Sequence, residues 1–350
     1  MSTPGQKLVG YWLPERKKQK LDLDGVAQIL RRSNVEFREI DVHQPLVSQG
    51  PFDVIVHKLD SMLPTTDEDG EKIETVLKGF EDYCAKYDVE LLEALGPGDV
   101  LRDRLAMCHL LAEVSSGMKG VFTPPFALLV RPDVNENRQI LKEAGVSFPC
   151  VLKPLESKSH HMAMVFHPGD LDKFEYPCVA MSFVNHDAIL HKVFIVGNEV
   201  EVVLRPSIQN LIAGDLPMER FHSSRVSKPD ADHPLIGPCA ATRRRRADNA
   251  KRLDFNIAAA IGKRCRERTG MRLLGVDVVV DSTTGHYGLI DINKFPGSST
   301  AHDLPIESFT GYEGMENLAQ HMAKLLLQVL KERDAGAFIL GSSEHHCQMD

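Results

Sequence analysis

The hydrophobic and polar positions of the first hundred residues follow two different periods. Short apolar runs predict strands at residues 7–12, 35–40, 51–58 and 89–92, and apolar positions recurring every three to four residues predict helices at 25–33 and 71–87. Strands that alternate with helices are typical of a mostly parallel sheet, whose functional groups gather where the strands end. The sequence therefore predicts an N-terminal α/β unit.

A Gly-Pro-Gly break at residues 96–98 separates this unit from the rest of the chain. Beyond it the patterns predict helices at 102–114, 134–144, 248–269 and 315–333, strands at 126–130, 150–154, 163–166 and 178–183, a hairpin of 192–196 with 199–205, and a β pair of 273–280 with 287–291. We expect an N-terminal domain over 1–100, a central lobe over 101–183, a C-terminal lobe over 184–333 and a loosely held tail over 334–350.

Composition narrows the class of protein. A length of 350 residues with 43% hydrophobic and 26% charged residues is typical of a globular protein of more than one domain. The seven cysteines are scattered without a C-x-x-C pair, which argues against a disulfide framework or structural zinc and indicates a reducing compartment. The N-terminus lacks a secretory core and no apolar run approaches the ~20 residues of a membrane span, so we expect a cytoplasmic or nuclear protein.

Three side chains with oxygen ligands mark the predicted β pair. Asp277 interrupts the apolar strand 273–280, Asp291 ends the partner strand, and Asn293 follows it. A carboxylate inside an apolar strand is costly unless it is paired or binds a metal. Carboxylate and amide oxygens suit Mg²⁺, which completes its shell with water and phosphate oxygens. The pattern indicates a magnesium site, with capping of the turn before Pro296 as the alternative interpretation.

Cations border several predicted strands and helices. Lys153 follows an apolar run and precedes Pro154, as a lysine that reaches a phosphate from a strand end would. Lys192 adjoins the apolar run 193–196, while Arg104 and Arg205 border a helix and a strand. Each alone is compatible with a surface charge, but together with the acidic set they indicate phosphoryl transfer, which requires Mg²⁺ and cations around the transferring group.

Other features restrict this hypothesis. His160 and His161 form a titratable pair in a polar loop near Lys153 and are candidates for ligand contact. The chain has no Walker A sequence and no H-R-D or D-F-G motif, which excludes the nucleotide sites that those motifs build. A net charge of −8 disfavours nucleic acid as a partner and leaves room for a small polyanion bound by a local cation cluster.

Four motifs occur in order along the chain: H-K-L at 57–59, S-H-x-M at 159–162, F-V-N-H at 183–186 and D-I-N-x-F-P-G at 291–297. With them, from Val9 to about Arg333, the chain resembles the inositol 1,3,4-trisphosphate 5/6-kinases, also called inositol-tetrakisphosphate 1-kinases. The resemblance implies an α/β ATP-grasp fold of three lobes, with ATP between the central and C-terminal lobes. It also implies transfer of the γ-phosphoryl group of ATP to a ring hydroxyl of an inositol tris- or tetrakisphosphate. We expect a monomer without membrane or nucleic-acid partners.

The resemblance further implies roles for individual residues. Asp277, Asp291 and Asn293 would carry two Mg²⁺ ions, and the catalytic residues Lys192 and His160 would lie nearest the transferring group. The residues implied to hold ATP, with the hinge at the adenine running from Met181 to Val184, are Arg104, Lys153, Met181, Ser182, Val184, Lys192 and Ser207. Those implied to gather the substrate phosphates are Lys17, Lys58, His160, Lys192, Arg205, Asn293 and Gly297.

Departures from the family pattern keep two alternatives open. Residues 155–159 form a shorter loop than is usual and lack the glycine that lets backbone N–H groups approach phosphate. Met181 replaces a polar hinge residue, and 298–300 replace an aromatic and acidic pair. One alternative is a carboxylate–amine ligase. The N-terminal set of cations, Lys17 and Lys58, provides more positive charge than a carboxylate substrate would need. The other is an inositol-phosphate-binding protein with weakened catalysis.

Overall fold

The computed structural model describes residues 5–344 except 20, 60–69, 94, 96–99, 157–158, 215, 227–232, 237–250 and 296–316. By its internal contacts the chain divides into two units. The first consists of Met1–Gly96, Val196–Glu199 and Glu316–Asp350, and the second consists of Pro97–Ile195 and Val200–Met315. Among the described residues, no helix combines the length and apolarity that a bilayer span requires.

The first unit is built on a four-stranded sheet of order β2-β1-β3-β4 in which every pair is parallel. Its strands are β1 (Lys7–Trp12), β2 (Val35–Glu39), β3 (Val54–His57) and β4 (Glu90–Leu91). Its helices are α1 (Glu15–Lys18), α2 (Leu23–Arg31), α3 (Leu46–Gln49), α4 (Gly70–Tyr87) and the last helix of the chain, α9 (Leu318–Glu344). The predicted N-terminal α/β unit with a parallel sheet is confirmed.

The core of the first unit lies against the interior strand β3. This strand is buried along its whole length, and its Ile55 packs in a core with Phe52, Phe80 and Tyr83. The last helix presents a stripe of buried residues that includes Met322 and packs on α2. The closing helix therefore belongs to the first unit, whereas it was predicted within the C-terminal lobe.

The second unit contains two five-stranded sheets. The central sheet has the order β12-β8-β7-β9-β6, and the C-terminal sheet has the order β11-β10-β13-β14-β5. The strands are β5 (Val121–Phe122), β6 (Phe126–Leu129), β7 (Cys150–Pro154), β8 (His161–Val165), β9 (Cys178–Ser182), β10 (Ile189–Val196), β11 (Glu199–Pro206), β12 (Glu219–His222), β13 (Leu273–Val280) and β14 (Tyr287–Lys294). Two strands cross the lobe boundary predicted at 183, since β5 joins the C-terminal sheet and β12 the central one.

Helices cover these sheets. They are α5 (Arg104–Ser115), α6 (Val134–Glu143), α7 (Ser223–Val226) and α8 (Phe255–Thr269), with 3₁₀ turns at Pro168–Lys173 and Pro234–Ile236. One core of this unit lies between α5, α8 and one face of β10, β13 and β14, and it includes Leu111, Ile261, Val276 and Val278. The opposite face of the same strands carries Lys192 and Asp277 together with buried apolar side chains such as Phe194 and Val279.

Several predicted ends differ from those observed, among them one end each of α8, α9 and β14. Helix α8 begins at Phe255 rather than 248, because the Asp254 carboxylate accepts the backbone N–H groups of residues 256 and 257 at 2.8 and 3.2 Å and so caps the first turn. Helix α9 continues to Glu344, past the end predicted at 333, and tolerates Gly336 and Gly341, each of which costs a helix about 1 kcal/mol relative to alanine. Strand β14 continues past Asp291 to Lys294, because Ile292 is buried in the core.

Candidate active site

The two carboxylates of the predicted metal site face each other across neighbouring strands. Asp277 of β13 and Asp291 of β14 are direct partners in the antiparallel ladder. Side chains at such positions have Cβ atoms about 4.5–5.5 Å apart on the same face of the sheet. The neighbours Val276 and Val278 point into the core, so the carboxylates lie on the opposite face of the sheet.

A β-bulge shapes β14 at this point. The register shifts between Asp277 and Val278, which leaves Ile290 as the extra residue between Asp291 and Leu289. Leu289 and Ile292 consequently both reach the same core, although strict alternation would put them on opposite faces. The bulge lets β14 keep its apolar residues buried while it presents Asp291 beside Asp277.

Asn293 lies two residues beyond Asp291 in the same strand, and its Nδ2 donates to Asp291 Oδ2 at 3.2 Å. Both residues are part of β14 and face its partner strand β13. The alternative interpretation concerns a turn at Pro296, which lies outside the described residues. Within the described ranges, no group of three or more His, Cys, Asp or Glu side chains is gathered for a metal. Two carboxylates and an amide oxygen nevertheless fit Mg²⁺, which takes few protein ligands and retains water and phosphate oxygens.

Lys192 of β10 lies on the same face of the sheet as Asp277. Its Nζ lies 2.8 Å from Asp277 Oδ1, and the side chains are only 17% and 14% exposed. Burial raises the pKa of the Asp277 carboxyl, and the positive charge of Lys192 opposes that rise, while Asp291 adds to it and Arg205 opposes it. The pair therefore concentrates charge of both signs where the sheet is shielded from water.

Lys153 of β7 reaches the C-terminal sheet from the central one. Its Nζ donates to the Ile290 carbonyl oxygen at 3.1 Å and lies 3.4 Å from Met181 Sδ. The residue is 7% exposed, and burial lowers the pKa of its ammonium group. Met181, which replaces the expected polar hinge residue, thus contacts the lysine predicted to bind ATP.

Arg104 holds both ends of the short loop that precedes His160. Its Nε donates to the Pro154 carbonyl oxygen at 2.9 Å and its Nη2 to the Ser159 carbonyl oxygen at 3.3 Å. Its backbone N–H also donates to the Leu155 carbonyl at 2.8 Å. The residue starts α5 and is 2% exposed, so its guanidinium group braces a loop in addition to the phosphate role predicted for it.

His160 lies at the far end of that loop and contacts a residue that the sequence analysis missed. Its Nδ1 is 3.1 Å from Ser223 Oγ, and the Ser223 backbone N–H donates to the His160 carbonyl at 2.9 Å. Burial lowers the pKa of the His160 imidazole. Ser223 follows β12, a strand of four residues in which only Phe221 is buried, so no apolar pattern marked the segment.

The hydroxyl groups predicted to bind ATP already have protein partners. The Ser182 hydroxyl oxygen accepts the Ser147 backbone N–H at 3.0 Å. His186 Nδ1 lies 2.6 Å from the carbonyl oxygen of Val184, and its Nε2 lies 2.8 Å from Ser207 Oγ. This imidazole therefore connects the predicted hinge to the end of β11.

The remaining predicted substrate cations belong to the first unit. Lys17 lies in α1, directly after β1, and Lys58 directly follows β3. Because β1 and β3 are parallel neighbours, both lysines lie at the carboxyl edge of the same sheet. Lys17 is 1% exposed and Lys58 is partly exposed. Gly297 lies outside the described residues.

The two sheets of the second unit define its class. The central sheet bears Lys153, the C-terminal sheet bears Lys192 and the two carboxylates, and together the two sheets form an ATP-grasp fold. Solved structures show the same fold: an ATP-grasp ligase PsnB complexed with minimal precursor superimposes with a TM-score of 0.54 at 12% identity, covering 92% of this chain and 99% of that one. The macrocyclase MdnC of Microcystis aeruginosa MRC, bound with precursor peptide MdnA, gives 0.53 at 12% identity over 92% and 100%.

Sequence comparison defines the family within this class. The family model for the inositol 1,3,4-trisphosphate 5/6-kinase ATP-grasp domain matches residues 116–305, and that for the pre-ATP-grasp domain of the same kinases matches residues 8–94. The chain belongs to the inositol 1,3,4-trisphosphate 5/6-kinase family. It is 34% identical over 301 residues to inositol-tetrakisphosphate 1-kinase of Danio rerio, covering 83% of this chain and 74% of the relative. It is 32% identical over 341 residues to that of Xenopus laevis, covering 95% and 81%.

Proposed function

We propose that this protein is an inositol polyphosphate kinase that uses ATP and Mg²⁺ to phosphorylate a ring hydroxyl of an inositol tris- or tetrakisphosphate. Family membership supports the activity, and one observation carries the chemistry: the cross-strand carboxylates Asp277 and Asp291 lie beside Lys192, whose Nζ is 2.8 Å from Asp277 Oδ1. Phosphoryl transfer needs a metal site and fixed positive charge at one place.

In the proposed reaction the oxygen of a free ring hydroxyl attacks the γ-phosphorus of ATP. A new O–P bond forms, the bond from the γ-phosphorus to the β–γ bridging oxygen breaks, ADP leaves and the hydroxyl proton passes to solvent. Asp277, Asp291 and Asn293 would hold two Mg²⁺ ions, which would supply Lewis-acid stabilisation of the phosphate oxygens.

The side chains of the chain supply position and charge. Lys153, fixed by the Ile290 carbonyl, would bind ATP phosphates, and Lys192 would neutralise charge on the transferring group. Arg104, Ser182, Val184 and Ser207 would complete the ATP site. The lowered pKa of His160 keeps its imidazole neutral near pH 7, so it could accept a hydrogen bond from the attacking hydroxyl.

The proposed substrate residues of the first unit are Lys17 and Lys58, at the carboxyl edge of its sheet. Those of the second unit are His160, Lys192, Arg205, Asn293 and Gly297. Five described cysteines, at 84, 108, 150, 178 and 265, are buried thiols. Burial raises the pKa of Cys150 and Cys265 to about 12, which keeps both thiols protonated. The absence of disulfides among these five residues supports our proposal of a reducing, cytoplasmic location.

The decisive experiment compares acceptors. ADP release is measured with Mg²⁺ and ATP in the presence of inositol 1,3,4-trisphosphate, inositol 3,4,5,6-tetrakisphosphate or a panel of amino acids, and NMR assigns the position of any new phosphate. We expect ADP release and a new phosphate monoester with an inositol phosphate only. Release that depends on an amino acid would establish a ligase instead, and tight binding of inositol phosphate without turnover at saturating ATP would establish a binding protein.

A further inference from the structure

His57, the last residue of β3, is buried and makes hydrogen bonds through both ring nitrogens. Nε2 lies 2.6 Å from the carbonyl oxygen of Glu93, just beyond β4, and Nδ1 lies 3.3 Å from the backbone nitrogen of Leu59. A backbone N–H can only donate, so Nδ1 accepts and Nε2 carries the proton that is donated to Glu93. The geometry defines a neutral imidazole in one tautomer.

Backbone hydrogen bonds hold the chain at Lys58 and at the residue that follows it. The Lys58 backbone N–H donates to the Trp12 carbonyl of β1 at 3.1 Å, and the next N–H, that of Leu59, donates to His57. The Leu59 side chain is fully buried in the core of the first unit. The backbone on both sides of Lys58 is therefore fixed, although the lysine itself is partly exposed.

We propose that His57 is a positioning residue that holds the turn from which Lys58 reaches a phosphate of the inositol polyphosphate. This inference rests on the proposed function. A lysine side chain is a flexible four-carbon stem, so the direction in which its ammonium group points depends on how firmly its backbone is held. An imidazole can accept from one backbone group and donate to another at the same time, which neither an apolar nor an acidic side chain can do.

Two conservative variants separate these bonds. In His57→Asn the amide oxygen takes the place of Nδ1 and can still accept from Leu59, whereas in His57→Gln the amide nitrogen takes the place of Nε2 and can still donate to Glu93. Dissociation constants for inositol 1,3,4-trisphosphate and for ATP are measured on the full chain by calorimetry, with Lys58→Ala and His57→Gln/Lys58→Ala as partners in a double-mutant cycle.

We expect His57→Gln to weaken inositol trisphosphate binding about 5–10-fold, the usual effect of one hydrogen bond. His57→Asn should stay within about 2-fold of wild type, and ATP binding should be unchanged in both. With Lys58→Ala present, His57→Gln should cause no further loss, because the residue acts through Lys58. A purely structural role would weaken both ligands alike and would give additive effects.

The outcomes separate the two proposals. Wild-type protein that fails to bind inositol trisphosphate would overturn the proposed function together with this inference. Wild-type protein that binds it, with both His57 variants equal to wild type, would overturn only the positioning role. Should His57→Gln not fold, hydrogen exchange of the Leu59 amide in His57→Asn decides: retained protection with retained affinity supports the role, and lost protection with retained affinity contradicts it.

Discussion

Lys192 Nζ and Asp277 Oδ1 lie 2.8 Å apart on the neighbouring strands β10 and β13, in a setting where both side chains are largely buried. Burial alone would favour a neutral Asp277, since it raises the pKa of that carboxyl. The adjacent ammonium group opposes this effect, so the lysine proposed to stabilise the transferring phosphate also favours the charged form of a proposed metal ligand. We therefore expect the ion pair to affect both the stability of the fold and the rate of phosphoryl transfer.

The first prediction concerns this pair. Lys192→Met should lower turnover by orders of magnitude and the free energy of unfolding by about 3 kcal/mol, because it leaves a buried carboxylate without its partner. The double variant Lys192→Met/Asp277→Asn should recover most of that stability and none of the turnover. Urea unfolding and ADP release measure the two quantities. Recovery of turnover in the double variant would show that the pair has only a structural role.

The second prediction tests the metal assignment. Asp291→Asn preserves the shape of the side chain and removes its charge, so turnover should fall by orders of magnitude and the Mg²⁺ concentration for half-maximal activity should rise at least about tenfold. Unfolding free energy should change little. Asp281→Asn is the matched control in the same hairpin, where Asp281 accepts a hydrogen bond from the Thr283 backbone N–H at 2.8 Å. Equal Mg²⁺ dependence in both variants would exclude Asp291 as a ligand.

The third prediction concerns the short loop. Lysine cannot reach the Pro154 and Ser159 carbonyls together as the Arg104 guanidinium does. Arg104→Lys should therefore displace His160 and lower kcat by about 10–100-fold, since a shift of about 1 Å can have that effect. Arg102→Lys, in the preceding turn, is the control. If KM for ATP rises while kcat is unchanged, Arg104 acts through phosphate contact alone.

The sequence was most informative where one strand is buried as a continuous apolar run. Strands β1, β7 and β13 begin and end where the pattern predicted, because most of their residues are apolar and buried. The same property made Asp277 conspicuous, since a charge within such a run needs an explanation. Its pairing with Asp291 could be expected from a hairpin.

Other features depend on contacts between residues distant in sequence. Nothing local to Ile290 indicates a bulge, and its carbonyl contacts Lys153, which lies 137 residues away. The Arg104 side chain was predicted to bind phosphate, and its second role as a loop brace follows only from the folded geometry. Strand β5, with two residues, is too short for any periodicity to appear.

The last prediction concerns pH and stability. His191 is 1% exposed, and within the described chain neither ring nitrogen has a hydrogen-bond partner. Burial, with the positive charges of His186 and Arg252, lowers the pKa of His191 to about 4. Below about pH 6.5 the unfolded chain binds a proton that the folded protein does not, so stability is full above that pH and is lost as pH falls toward 4.

His191→Leu should remove this dependence. Between pH 7 and pH 5 the free energy of unfolding of wild type should fall by about 2 kcal/mol more than that of the variant, as measured by urea unfolding at each pH. The variant should also be at least as stable as wild type at pH 7, because it removes two buried polar atoms that lack partners. Ile189→Val, in the same strand, controls for altered packing and should keep the wild-type slope. Parallel slopes for wild type and His191→Leu would mean that the imidazole is already solvated or paired in solution.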